Sequence, residues 1–140
     1  MKYVVLVSHG EFAEGLANAL MMLAGQKEEV IAVGLKDGKT ADEFAVQFEK
    51  AIQPITERDE IILLGDLIGG SPLTTAMNVM NDLGMGTQTV VIGGMNLPLA
   101  LTTVLMKDAF DKEALVEQVL SEAQSALKEF KIEVDEEDEI

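Results

Sequence analysis

The chain has no cysteine and no tryptophan, and it carries one histidine, one tyrosine and three prolines among 140 residues. The missing cysteines rule out a disulfide framework and any thiolate chemistry. With one histidine as the only nitrogen ligand, a zinc site would need mostly carboxylates, so no metal is expected. Cations are scarce: ten Lys and Arg stand against 25 Asp and Glu, a formal charge of −15. Nucleic acid is gripped by clustered Lys and Arg, so a nucleic-acid partner is not expected. The acidity suits a partner with a basic face, although it also serves solubility alone. Long hydrophobic runs are missing too. Residues from Leu83 to Met106 carry no charge, but Gly84, Gly86, Gln88, Gly93, Gly94, Asn96 and Pro98 break the stretch. It parses as turn, strand, loop and buried helix, not as the roughly 20 apolar residues of a membrane span. The apolar run near Met1 is far too short for a signal peptide. A soluble, cytoplasmic protein without membrane insertion is expected.

What is present is 48% apolar content, the mark of a globular chain, at a length that fits one domain. Val4-Val5-Leu6-Val7 is an unbroken apolar run, read as a strand buried on both faces and ending at Ser8-His9-Gly10. Phe12, Leu16, Ala19, Leu20 and Leu23 then recur at helical spacing up to Gly25, with Met21 and Met22 read as core filler. Val30 to Val33 reads as a second strand, followed by a turn over Lys36-Asp37-Gly38-Lys39. Thr40 and Glu43 have the spacing of a capping box, opening a helix with Phe44, Phe48, Ala51 and Ile52 inward until Pro54. A third strand covers Ile61 to Leu64, and Ser71-Pro72 reads as an N-cap with proline at the first helical position. Thr89 to Ile92 is a fourth strand, followed by helices over about Pro98–Met106 and Lys112–Phe130. Leu115, Val116, Val119, Leu120, Ala123 and Leu127 form the inner face of the last helix. Strand followed by helix recurs four times. The expectation is a single α/β domain, doubly wound, with a mainly parallel four-stranded sheet and helices on both faces. Residues 1–134 form that domain, with Lys131 to Val134 as a terminal strand, and 135–140 are an acidic C-terminal tail.

The unusual residues gather in three loops at the carboxyl ends of strands, the edge where open α/β sheets bind ligands. The first offers Ser8, His9 and Gly10, the second Asp66, Gly69, Gly70 and Ser71, the third Gly93, Gly94 and Asn96. Each glycine alone reads as a tight turn; three such loops on one edge point to a backbone cradle. The helix start at Ser71 adds free N–H donors and a positive dipole end, suited to an anion. Asp66 is the only polar side chain at the end of its strand. A carboxylate bonded to one imidazole nitrogen sets the tautomer and leaves the other nitrogen as a nucleophile; a turn or capping aspartate is the competing reading. There is no G-x-x-x-x-G-K-[ST], no Lys or Arg lies in these loops, and the only arginine, Arg58, precedes a strand on the opposite edge. A nucleotide-dependent kinase needs cations or a held metal at the transferring group. A phosphoryl relay, in which a partner supplies the cation, fits better.

Val7-Ser8-His9-Gly10-Glu11-Phe12-Ala13-Glu14-Gly15-Leu16, Asp66-Leu67-Ile68-Gly69-Gly70-Ser71-Pro72 and Gly93-Gly94-Met95-Asn96-Leu97-Pro98 resemble the IIA component of the mannose-family sugar phosphotransferase system. The resemblance spans nearly the whole chain. It implies that His9 accepts phosphate on Nε2 from phospho-HPr and passes it to a histidine of the IIB component, and through it serves the membrane IIC and IID components. It implies that Asp66 holds Nδ1, that Ser71 with the Gly70 and Gly10 amides binds the phosphate, and that Ser8, Gly69, Gly94 and Asn96 line the loops. It implies a homodimer whose terminal strand, here Lys131 to Val134, is exchanged between subunits, and it implies no cofactor. Two departures, Thr74 and Met95, fall where the rim read by a partner is expected. The acidic tail stands where some members continue by a linker into IIB, so IIB is expected as a separate polypeptide. Three other readings share these residues: a phosphoryl donor subunit for dihydroxyacetone kinase, a receiver-like domain phosphorylated on Asp66, and an anion-binding module without turnover. The receiver reading lacks the acidic pair after the first strand, where Ser8-His9 stands.

Overall fold

The structure is a computed structural model that describes residues 1–133. Four strands, β1 (Lys2–His9), β2 (Val30–Leu35), β3 (Glu60–Gly65) and β4 (Thr89–Ile92), alternate with five helices. These are α1 (Phe12–Ala24), α2 (Ala41–Ala51), α3 (Ser71–Asp82), α4 (Leu97–Met106) and α5 (Lys112–Ser125). All strand pairs are parallel and the spatial order is β2-β1-β3-β4. The expected doubly wound sheet is therefore present, parallel throughout.

The pleat sorts the core. Val4, Leu6, Ile62, Leu64 and Ile92 point to one face, where α1, α4 and α5 cover them. Val5, Val7, Val33, Ile61 and Leu63 point to the other, against Phe44 and Phe48 of α2 and Leu73, Ala76 and Met80 of α3. Val4 to Val7 have no exposed surface, as the central strand of a sheet covered on both faces requires. Each such side chain contributes about 1.5–3 kcal/mol on burial. Because crossovers in such sheets share one hand, the chain leaves β1 over one face and β3 over the other. A crevice opens between the carboxyl ends of β1 and β3, which is where ligands bind in this topology.

Several expectations need correction. In α1 the buried stripe is Ala13, Leu16 and Leu20, while Phe12, Met21, Met22 and Leu23 are exposed. Both stripes obey helical spacing, and the packing of α4 and β2 against α1 selects the second. β2 runs two residues further than Val33, through Gly34 and Leu35. α5 ends at Ser125, and Leu127 is 85% exposed instead of facing inward. Every residue from 124 to 133 is exposed, so no buried surface extends the helix to Phe130. Lys131 to Glu133 form no strand within the single chain, and Val134 and the 135–140 tail lie outside the described residues.

Candidate functional site

β1 delivers His9 to the crevice as its last residue, and β3 delivers Asp66 immediately past its end. The Asp66 carboxylate bridges the gap. Its Oδ2 accepts from the backbone N–H of His9 at 3.0 Å and lies 2.9 Å from His9 Nδ1. Its Oδ1 accepts from the Leu67 N–H at 2.9 Å. Burial alone would raise the Asp66 pKa, but these hydrogen bonds favour the carboxylate and leave it below the ordinary value. A carboxylate acceptor calls for a proton on Nδ1, so the second ring nitrogen, Nε2, keeps its lone pair. The His9 side chain is 47% exposed against 14% for Asp66. One group is accessible; the other is set beneath it.

Ser8, fully buried, holds the turn that carries His9. Its hydroxyl accepts from the Ala13 N–H at 2.7 Å and donates to the His9 carbonyl at 3.0 Å, tying the start of α1 to the end of β1. The Gly10 amide donates to the Leu35 carbonyl at 2.7 Å. It is thus engaged in the turn, whereas the resemblance makes it a phosphate donor. At φ +57°, Gly10 occupies the left-handed region that favours glycine.

On the other side Gly70 faces the imidazole: a Cβ there would stand 2.9 Å from His9 Cε1. Gly70, in extended conformation, is the N-cap of α3, so Ser71 is its first helical residue and Pro72 its second. The expected cap at Ser71 shifts by one residue because the Thr74 N–H closes the first turn on the Gly70 carbonyl at 3.1 Å. The consequence is chemical. Among the described residues neither the Ser71 hydroxyl nor its N–H has a hydrogen-bond partner in the chain. The first turn of α3 also carries no acidic residue, so its positive dipole end is uncompensated beside His9.

The third loop joins the second but not the histidine. The Met95 N–H donates to the Gly65 carbonyl at 2.9 Å, and the Ile68 side chain lies across Gly93 where a Cβ would otherwise be. Asn96 is the N-cap of α4, its Oδ1 accepting from the Leu99 N–H at 2.8 Å. Among the described residues neither Gly94 nor Asn96 bonds to His9. Gly69 and Gly94, at φ +83° and +73°, act as turn residues. Met95 is buried in the core and not on the rim; Thr74 is exposed. The sequence reading missed Leu67 and Ile68, which are 59% and 83% exposed, and with them the exposed Phe12. Two adjacent apolar residues in the glycine-rich loop of so acidic a chain were the available signal.

Comparison with known proteins points to one family. The family model EIIA-man, described as the PTS system fructose IIA component, matches residues 3–120. The fructose-specific EIIA component of Bacillus subtilis is 24% identical over 89% of this chain and 84% of its own length. The mannose-specific EIIAB component of Escherichia coli is 28% identical over 89% of this chain, which spans only 39% of that longer relative. Among solved structures, a PTS IIA protein associated with the fucose utilization operon of Streptococcus pneumoniae is 27% identical. It superposes with a TM-score of 0.78 over 91% of this chain and 92% of its own. The mannose/sorbose specific IIA subunit from Enterococcus faecalis, 23% identical, shares the fold at a TM-score of 0.80, over 96% of this chain and 98% of its own.

Proposed function

The chain belongs to the EIIA-man family of PTS IIA components, and from that membership we propose that it is a phosphocarrier with His9 as the acceptor. The observation that carries the reading is the Asp66 carboxylate, 2.9 Å from Nδ1 of the only histidine. In the step proposed, the Nε2 lone pair attacks phosphorus of a phosphohistidine on HPr. The N–P bond of the donor breaks and its electron pair returns to the donor imidazole. The Nδ1 proton stays on His9, where Asp66 stabilises the positive charge the ring develops. Ser71 Oγ and the open N–H groups of α3 receive the phosphoryl oxygens. The reverse geometry passes the group to a histidine of IIB, with cations supplied by each partner because none lies in the three loops.

The exposed Phe12, three residues after His9, and the exposed Leu67 and Ile68, which directly follow Asp66, supply the apolar contact that protein partners use. Dimerisation belongs to the same reading. Edge strand β4 has no outer neighbour among the described residues, and Leu127, Phe130 and Ile132 are 85–92% exposed. A segment that pairs with the β4 edge of a second copy satisfies both.

Incubation with phosphoenolpyruvate, enzyme I and HPr tests the proposal. The expected product carries an acid-labile, alkali-stable label that His9→Ala abolishes and that transfers to IIB and not to a dihydroxyacetone kinase subunit. An alkali-labile label requiring Asp66, or full labelling of His9→Ala, overturns it.

A further inference from the structure

We propose that Gly34, inside β2, is a positioning residue for His9, because the side chain it lacks is what allows the turn after His9 to rest on β2. Gly34 pairs in register with Ser8, and Leu35 with His9 itself. A Cβ on Gly34 would overlap the Gly10 carbonyl oxygen and come within 3.3 Å of the Gly10 carbonyl carbon. The obstacle is backbone, so no rotamer change relieves it. Moving Gly10 away breaks the bond from its N–H to the Leu35 carbonyl, 2.7 Å long.

Glu14, one turn into α1, closes the place from outside. Its Oε1 lies 3.4 Å from where the Gly34 Cβ would be, and it forms an ion pair with Lys36, just beyond β2. His9 is thus held from two sides: Asp66 grips the imidazole from β3, and β2 seats the following peptide against Gly34. β2 is an edge strand, yet it is held firmly. It is paired with β1 over six residues, and Val33 packs in the core that holds Phe44 and Phe48. The turn at Gly10, at a positive φ, is the softer partner, so a Gly34 side chain displaces His9 and leaves β2 in place. Misplacement of a reacting group by about 1 Å costs on the order of 10²-fold in rate.

The inference rests on His9 being the phosphoryl acceptor, and the experiment separates the two. Gly34→Ala is compared with the wild type by the rate of phosphorylation from phospho-HPr, thermal denaturation, and ¹⁵N shifts of the His9 ring. The expected result is a folded variant with a rate lowered about 10²-fold and loss of the single Nδ1–H tautomer. A rate within twofold of the wild type with unchanged ring shifts overturns the inference. Should Gly34→Ala fail to fold, hydrogen exchange of the wild-type Gly10 amide, which donates to the Leu35 carbonyl, takes its place. Protection matching the β1 amides is expected of a turn seated on β2, and exchange at the rate of an open loop overturns the inference. If the wild type takes no label at His9, the relay reading fails, while the ring shifts still report whether Gly34 positions the imidazole.

Discussion

Gly70 and His9 are in near contact: the Cβ that Gly70 lacks would stand 2.9 Å from His9 Cε1. Gly70 has an ordinary φ of −76°, so alanine there strains no backbone dihedral; the imidazole has to move, and the Leu67 Cβ, 3.3 Å from the added carbon, has to give slightly. Gly70→Ala is expected to lower phosphoryl acceptance about tenfold or more, through the misplaced nucleophile. The melting temperature should change by less than about 3 °C, corresponding to under ~1 kcal/mol. Single-turnover kinetics beside a thermal melt check both halves.

Asp66 gives a pH prediction with a defined sign. Its folded pKa is lowered because the hydrogen bonds from His9 and Leu67 outweigh the opposing effect of burial. A depressed carboxylate pKa contributes stability that is fully present above the unfolded value, about 3.9. That contribution is lost as the pH falls through the lower folded value. Asp66→Asn should therefore flatten the acid limb of stability against pH below about pH 4, measured by urea denaturation across that range. At neutral pH the same variant should accept phosphate more slowly by on the order of 10²-fold, because its amide can offer Nδ1 the wrong tautomer.

Asn96 and Ser71 separate structure from chemistry. Among the described residues Asn96 caps α4 and has no bond to His9, whereas Ser71, next to Gly70 at the start of α3, leaves its hydroxyl without a hydrogen bond. Asn96→Ala should cost ~1 kcal/mol of stability, about 4 °C in melting temperature, with phosphoryl acceptance within twofold of the wild type. Ser71→Ala should do the opposite, slowing acceptance about tenfold as one hydrogen bond to the phosphoryl group is lost. Parallel melts and label incorporation for the two variants decide it.

The exposed run after α5 carries a prediction about assembly. Removing residues after Ser125 takes away Leu127, Phe130 and Ile132, none of which packs in the described core. The truncated chain should fold and sediment as a monomer where the full chain sediments as a dimer. A full-length chain that is monomeric at every concentration tested contradicts the dimer reading.

Much of this protein was decided by the order of its residues. Val4 to Val7 read as a strand buried on both faces, because four successive apolar side chains need cover on both faces. The alternation with helices then required parallel strands, and so put His9, Asp66 and Ser71 on one edge before any contact was known. Tertiary structure decided what spacing leaves degenerate. Two stripes of α1 obey the same period, and the neighbouring α4 and β2 chose Ala13, Leu16 and Leu20, leaving Phe12 exposed at the start of the helix. The cap of α3 moved to Gly70 and so left the Ser71 hydroxyl open, because a hydrogen bond to the Gly70 carbonyl closes the first turn. Gly34 carried no local signal at all. Its place becomes meaningful only when register sets it under the Gly10 carbonyl, a contact between residues 24 apart that no periodicity within either segment can encode.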